Sequence, residues 1–149
     1  MKTVFLFVVL VSQLIGLAGC SSSSFELSNG QKKLLSDFKG EWLLINYWAV
    51  WCKPCIKEIP GLNALDQQSD VSVLGYNFDN SQGDSLAQQV EVLGIKFPSL
   101  SQDPAELFGQ TPPKALPATM LVNPQSQLVT WLYGPQTQGG IDKIIRGKE

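Results

Sequence analysis

Histidine is absent from this chain of 149 residues, and cysteine occurs only three times. A closed zinc site takes four ligands, usually from Cys and His, so no protein-built metal centre is expected, and no cofactor. An excess of charge of one sign is missing too: 11 basic residues face 13 acidic ones, for a net charge of -2, and no five like charges run together. That balance excludes the basic stripe of a nucleic-acid binder. Long apolar runs are equally scarce. The longest, Val4 to Leu17, is broken by Ser12, Gln13 and Gly16. It falls short of the ~20 residues a membrane-crossing helix needs.

What is present begins with that stretch. Lys2 ahead of it makes it read as a secretory signal peptide, with a buried core helix as the alternative. Leu17-Ala18-Gly19-Cys20 resembles the bacterial lipobox. The resemblance implies a diacylglycerol thioether on Cys20, which becomes the first mature residue; an ordinary cleavage site beside a bystander cysteine is the rival reading. Ser21 to Ser24 then form a short flexible tether. The expected organisation is a lipoprotein signal peptide over 1–19, the lipidated cysteine and tether over 20–24, and one domain over 25–149. The expected location is the bacterial cell envelope, lipid-anchored to a membrane and facing the periplasm or extracytoplasmic space.

With Cys20 assigned to lipid, Cys52 and Cys55 remain. Exported compartments favour disulfides. Two intervening residues close so small a loop that a bridge there adds little chain-entropy stabilisation. The pair therefore suits chemistry better than architecture, with a structural disulfide or half of a metal site as the bland alternatives.

Periodicity supplies the fold. Phe25-Glu26-Leu27 alternates like a strand, and Ser28-Asn29-Gly30 reads as a turn. Leu34, Leu35 and Phe38 are expected to cover a core edge. Leu43 to Trp48 is nearly all apolar, as in a central strand buried on both faces. From Lys53 to about Gln68, Ile56, Ile59, Leu62 and Leu65 recur every three residues and predict a helix. Pro54 suits its first turn, and Pro60 should kink it. Strands are expected at 71–78 and 117–122, with a hairpin partner at 128–133. Helices are expected at 84–93 and 141–147, the latter turning Ile144 and Ile145 inward. A short extended piece at 97–100 and a helical turn at 104–108 complete the pattern. The order β-α-β-α-β-β-α predicts an α/β fold with a central mixed sheet flanked by helices, behind an N-terminal extension.

A Cys-x-x-Cys where a strand gives way to a helix has a physical rationale. Unsatisfied N–H groups and the positive end of the macrodipole stabilise a thiolate on Cys52. Lys53 adds positive charge nearby. Cys55, three residues on, can attack a mixed disulfide formed at Cys52. Cys52 is thus expected to be the exposed attacking thiol and Cys55 the shielded resolving thiol.

Trp51-Cys52-Lys53-Pro54-Cys55 after an apolar strand resembles the thioredoxin superfamily. Glu58 and Pro60 extend the pattern to Trp-Cys-x-Pro-Cys-x-x-Glu-x-Pro. Asn46 stands six residues before Cys52, where cytoplasmic thioredoxins carry a buried Asp. Leu116-Pro117-Ala118-Thr119 resembles the segment holding that family's cis-proline. Together these resemble the TlpA/ResA/DsbE branch of membrane-tethered thiol–disulfide oxidoreductases, over roughly residues 25 to 145. The resemblance implies a thioredoxin fold and reduction of disulfides in exported proteins, with a membrane electron donor restoring the dithiol. It implies a cis Leu116–Pro117 bond, with the Leu116 backbone free to pair with extended substrate. Trp51 is expected to cover the disulfide, or else simply to pack. Glu58 is expected beneath Cys55 as a proton relay with a raised pKa, its alternative being a solvated helix residue. Asn46, on the strand below, hydrogen-bonds the site or is only a core amide. Two rivals stand beside this reading. A peroxidase of the same superfamily would carry Pro-x-x-x-Thr-x-x-Cys, and Ala49-Val50-Trp51 before Cys52 lacks that Thr. A non-catalytic binding lipoprotein would need no intact cysteine pair.

Overall fold

The computed structural model describes residues 23–147. The signal peptide and the lipobox with Cys20 lie outside the described residues. The architecture is a five-stranded mixed sheet preceded by a small hairpin. That hairpin pairs β1 (Ser24–Glu26) with β2 (Lys32–Leu34), antiparallel. In the sheet, β3 (Trp42–Trp48), β4 (Val71–Asn77), β5 (Ser99–Leu100), β6 (Ala118–Val122) and β7 (Leu128–Tyr133) take the spatial order β5-β4-β3-β6-β7. β3, β4 and β5 run parallel, whereas β6 and β7 run antiparallel to their neighbours. Among the described residues, three α-helices connect or close these strands: α1 (Lys53–Leu65), α2 (Gly83–Leu93) and α3 (Gln138–Arg146).

Burial explains why β3 is central. All seven of its residues are buried, as a strand covered on both faces requires. Alternation then sorts its side chains. Leu44 and Trp48 join Ile59 and Leu62 of α1, Leu86 of α2 and Ile141 and Ile145 of α3 in one apolar cluster. Leu43, Ile45 and Tyr47 face the other way, against Phe25, Phe38 and Leu100. Asn46 shares the parity of Leu44 and Trp48 and so lies on the face that α1 covers. Gly75, on β4, leaves room for the core: a Cβ there would stand 2.8 Å from the Phe97 ring and 3.0 Å from the Trp48 indole nitrogen.

Three details depart from the sequence expectation. α1 ends at Leu65, not near Gln68, because the Asp66 carboxylate accepts the Val73 N–H at 2.8 Å and turns the chain into β4. Leu34 is exposed, because it sits in β2, whose three residues all face solvent. On α3, Ile141 and Ile145 are buried, and Ile144 is only half-buried.

Candidate active site

The end of β3 delivers the chain to the N-terminus of α1, and Cys52 occupies the helix cap. Pro54 lies in the first turn, where a missing N–H costs nothing. Cys52 and Cys55 are joined by a disulfide. The Cys55 N–H, one of the helix's free donors, points at Cys52 Sγ at 3.3 Å. A sulfur so placed meets both a donor and the positive end of the helix, which favours its thiolate when the bond is open. Lys53 is exposed beside it.

The expectation of an exposed Cys52 is corrected. Cys52 is 4 % exposed and Cys55 1 %. In the bonded form Cys52 Sγ turns inward to meet Cys55 and its N–H, and both join the cluster of Trp48, Ala49 and Ile59. The exposed apolar groups at this end are Val50 and Trp51, at 42 % and 59 %. At that exposure Trp51 is not a core-packing residue. Its indole N–H donates to both carboxylate oxygens of Asp79, at 2.9 and 3.1 Å, and its ring meets Phe78 edge-on.

The Leu116–Pro117 peptide bond is cis. Pro117 leads into β6, and its carbonyl accepts the Gly134 N–H at 2.9 Å. Leu116 is half-buried and packs against the cluster that contains both cysteines.

Glu58 lies one turn beyond Cys55 on the same buried side of α1 and is 4 % exposed. One carboxyl oxygen, Oε1, accepts the backbone N–H of Gln136, from the segment joining β7 to α3. The other, Oε2, has no partner. Burial raises the pKa from 4.5 to about 7, against smaller opposing effects of the Gln136 N–H and the Asn46 amide. Asn46 is fully buried, and its Nδ2 donates to Thr119 Oγ1 at 3.0 Å. The structure thus brings Cys52, Cys55, Glu58 and Asn46 together around α1, with Leu116 packed against the same cluster. It adds three partners that the sequence did not single out for a role: Asp79, Thr119 and the Gln136 backbone. Among the described residues, no cluster of His, Cys, Asp and Glu could hold a metal ion, and no helix is long and apolar enough to cross a membrane.

The raised pKa has a signed consequence for stability. Unfolded, Glu58 loses its proton near 4.5; folded, it keeps it to about 7. Between these values the folded state binds more protons, so stability falls as pH rises, then levels above about 7. Between pH 5 and pH 8 the loss is on the order of 2–3 kcal/mol. Urea unfolding at pH 5 and pH 8 should show this loss in the wild type and little of it in Glu58→Gln. Equal pH dependence in both proteins would show that Glu58 titrates normally.

A family model described as the AhpC/TSA family matches residues 19–130. The thiol-disulfide oxidoreductase ResA of Bacillus subtilis is 28% identical over 128 residues, which span 83% of this chain and 71% of that protein. A DsbF homologue from Corynebacterium diphtheriae superposes with a TM-score of 0.72 at 23% identity, covering 85% of this chain and 84% of the other. A thioredoxin family protein from Chlorobium tepidum, described as a thiol:disulfide interchange protein, gives a TM-score of 0.69 at 20% identity over 85% of this chain and 92% of the other.

Proposed function

The chain belongs to the AhpC/TSA family and has the thioredoxin fold, and from this we propose that it is an extracytoplasmic thiol–disulfide oxidoreductase that reduces disulfides of exported proteins. The observation that carries the reading is the Cys52–Cys55 pair at the cap of α1, with the Cys55 N–H directed at Cys52 Sγ. ResA relatives bearing the name thiol-disulfide oxidoreductase agree with it.

In the reduced protein the Cys52 thiolate attacks one sulfur of a substrate disulfide. A Cys52–substrate bond forms, and the other substrate sulfur leaves as a thiolate. Cys55 then gives up its proton and attacks Cys52 Sγ, which releases the second substrate thiol and leaves the Cys52–Cys55 disulfide. Two electrons pass from the dithiol to the substrate. A dithiol donor, proposed to be membrane-bound, returns them. Glu58 takes the Cys55 proton during resolution, a task suited to a buried base with a pKa near neutrality. Leu116, packed against the cluster that holds both sulfurs, and Pro117 after it are proposed to offer backbone to extended substrate, with Val50 and Trp51 as exposed apolar contacts.

Parallel assays test this function. The reduced protein should reduce insulin disulfides and leave hydrogen peroxide largely unconsumed. Fast peroxide turnover with inert insulin would favour the peroxidase reading instead. The envelope location rests on the lipobox at Leu17–Cys20. Cys20→Ser should lose palmitate incorporation and membrane partition. Retention of both would overturn the lipid anchor.

A further inference from the structure

The buried polar path beneath the disulfide does not end at Glu58. Asn46 and Thr119 are directly opposed across the β3–β6 ladder, both on the face that α1 covers. They are 0 % and 1 % exposed. The Nδ2-to-Oγ1 contact of 3.0 Å is the one hydrogen bond the Asn46 side chain makes among the described residues, and its Oδ1 has no partner. A primary amide has two N–H bonds in one plane. When one is fixed on Thr119, the direction of the other is fixed with it. The amide lies near enough to Glu58 to favour its charged form, yet Oε2 has no hydrogen bond of ordinary length. Glu58, on the buried side of α1 that covers this face, thus has a carboxyl oxygen free to take that second N–H.

We propose that Thr119 is a positioning residue for Glu58: its hydroxyl holds the Asn46 amide so that an N–H faces the buried carboxyl. This rests on the reading of Glu58 as the proton acceptor for Cys55. It extends the proton-handling unit from α1 to β6, two residues beyond Pro117. The groups that bear on Glu58 are Cys55, one turn before it on α1, the Asn46 amide from β3 and the Gln136 N–H from the segment before α3. No charged side chain contributes to its titration.

A hydroxyl is needed because it accepts the amide N–H. Valine has the shape of threonine without that acceptor, so Thr119→Val frees the amide, whereas Thr119→Ser keeps the contact. The test is a pH titration of the Glu58 carboxyl carbon by NMR in oxidised protein labelled with 13C-glutamate, assigned with Glu58→Gln. Wild type and Thr119→Ser should titrate together. Thr119→Val should titrate higher by about half a unit to one unit, as loss of one weak donor would produce. Asn46→Leu removes the donor itself and should reproduce the rise; it also serves if Thr119→Val does not fold. The pH profile of mixed-disulfide resolution should move with the carboxyl titration. A Thr119→Val curve superimposed on wild type, or a Thr119→Ser curve displaced as far as Thr119→Val, would overturn the proposal. So would an unshifted Asn46→Leu. The titration is read without turnover, so it stays informative if Glu58→Gln leaves exchange rates unchanged, an outcome that would instead remove the relay.

Discussion

Cys55→Ser is expected to stall at the mixed disulfide and accumulate covalent adducts through Cys52. In the wild type the two sulfurs are within bonding distance by construction, and the Cα atoms are 5.3 Å apart. Resolution is therefore intramolecular, and well-placed intramolecular groups act at effective molarities of roughly 10⁵ M or more. An external thiol at millimolar concentration cannot replace that. Turnover should fall by about 10³-fold or more. Cys52→Ser should fall to background without forming adducts, because the helix cap and its free N–H serve the sulfur at position 52 and not that of Cys55. Mass spectrometry of acid-quenched reactions distinguishes the two. Adducts on Cys55 in Cys52→Ser, at rates near those of Cys55→Ser, would reverse the assignment of roles.

Glu58→Gln should slow resolution by about 10²-fold near neutral pH, the lower end of what a positioned base contributes. The direction with pH follows from the carboxyl. Only its ionised form accepts a proton, so wild-type resolution should rise with pH through about 7 as Glu58 ionises. The glutamine variant has no such group. Its rise should be delayed until the Cys55 thiol ionises unaided. Single-turnover decay of a preformed mixed disulfide between pH 5.5 and 8.5 reads both effects. Superimposable profiles would reduce Glu58 to a buried structural residue.

The parts of this site that were legible in the sequence are those written in local pattern. The apolar run of β3, the three-residue recurrence in α1 and the Cys-x-x-Cys between them need only neighbouring residues to be recognised. Leu-Pro-Ala-Thr was legible through resemblance, and the cis bond is there. What escaped depends on distant segments. The Glu58 carboxyl meets a backbone N–H 78 residues away, at Gln136. A backbone donor leaves no mark on residue type. Asp79 reads as an ordinary loop residue until the Trp51 indole is seen to rest on it. Asn46 and Thr119 become partners only through the β3–β6 register. β2 was illegible for another reason: Lys32, Lys33 and Leu34 all face solvent, so no alternation marks the strand. Cys52 was misjudged because helix-start geometry points outward, whereas its bond to Cys55 turns the sulfur inward.

Reversible two-electron chemistry at Cys52 and Cys55 is the centre of the proposed function. It is read most directly by equilibrating the protein in dithiol–disulfide buffers of graded potential, alkylating, and weighing the intact chain. The expected result is a single transition in which both cysteines gain or lose label together, with the reduced form passing its electrons to a protein disulfide on mixing. A pair that stays oxidised in strongly reducing buffer, or a reduced form that leaves protein disulfides untouched, would contradict it and mark the bond as structural.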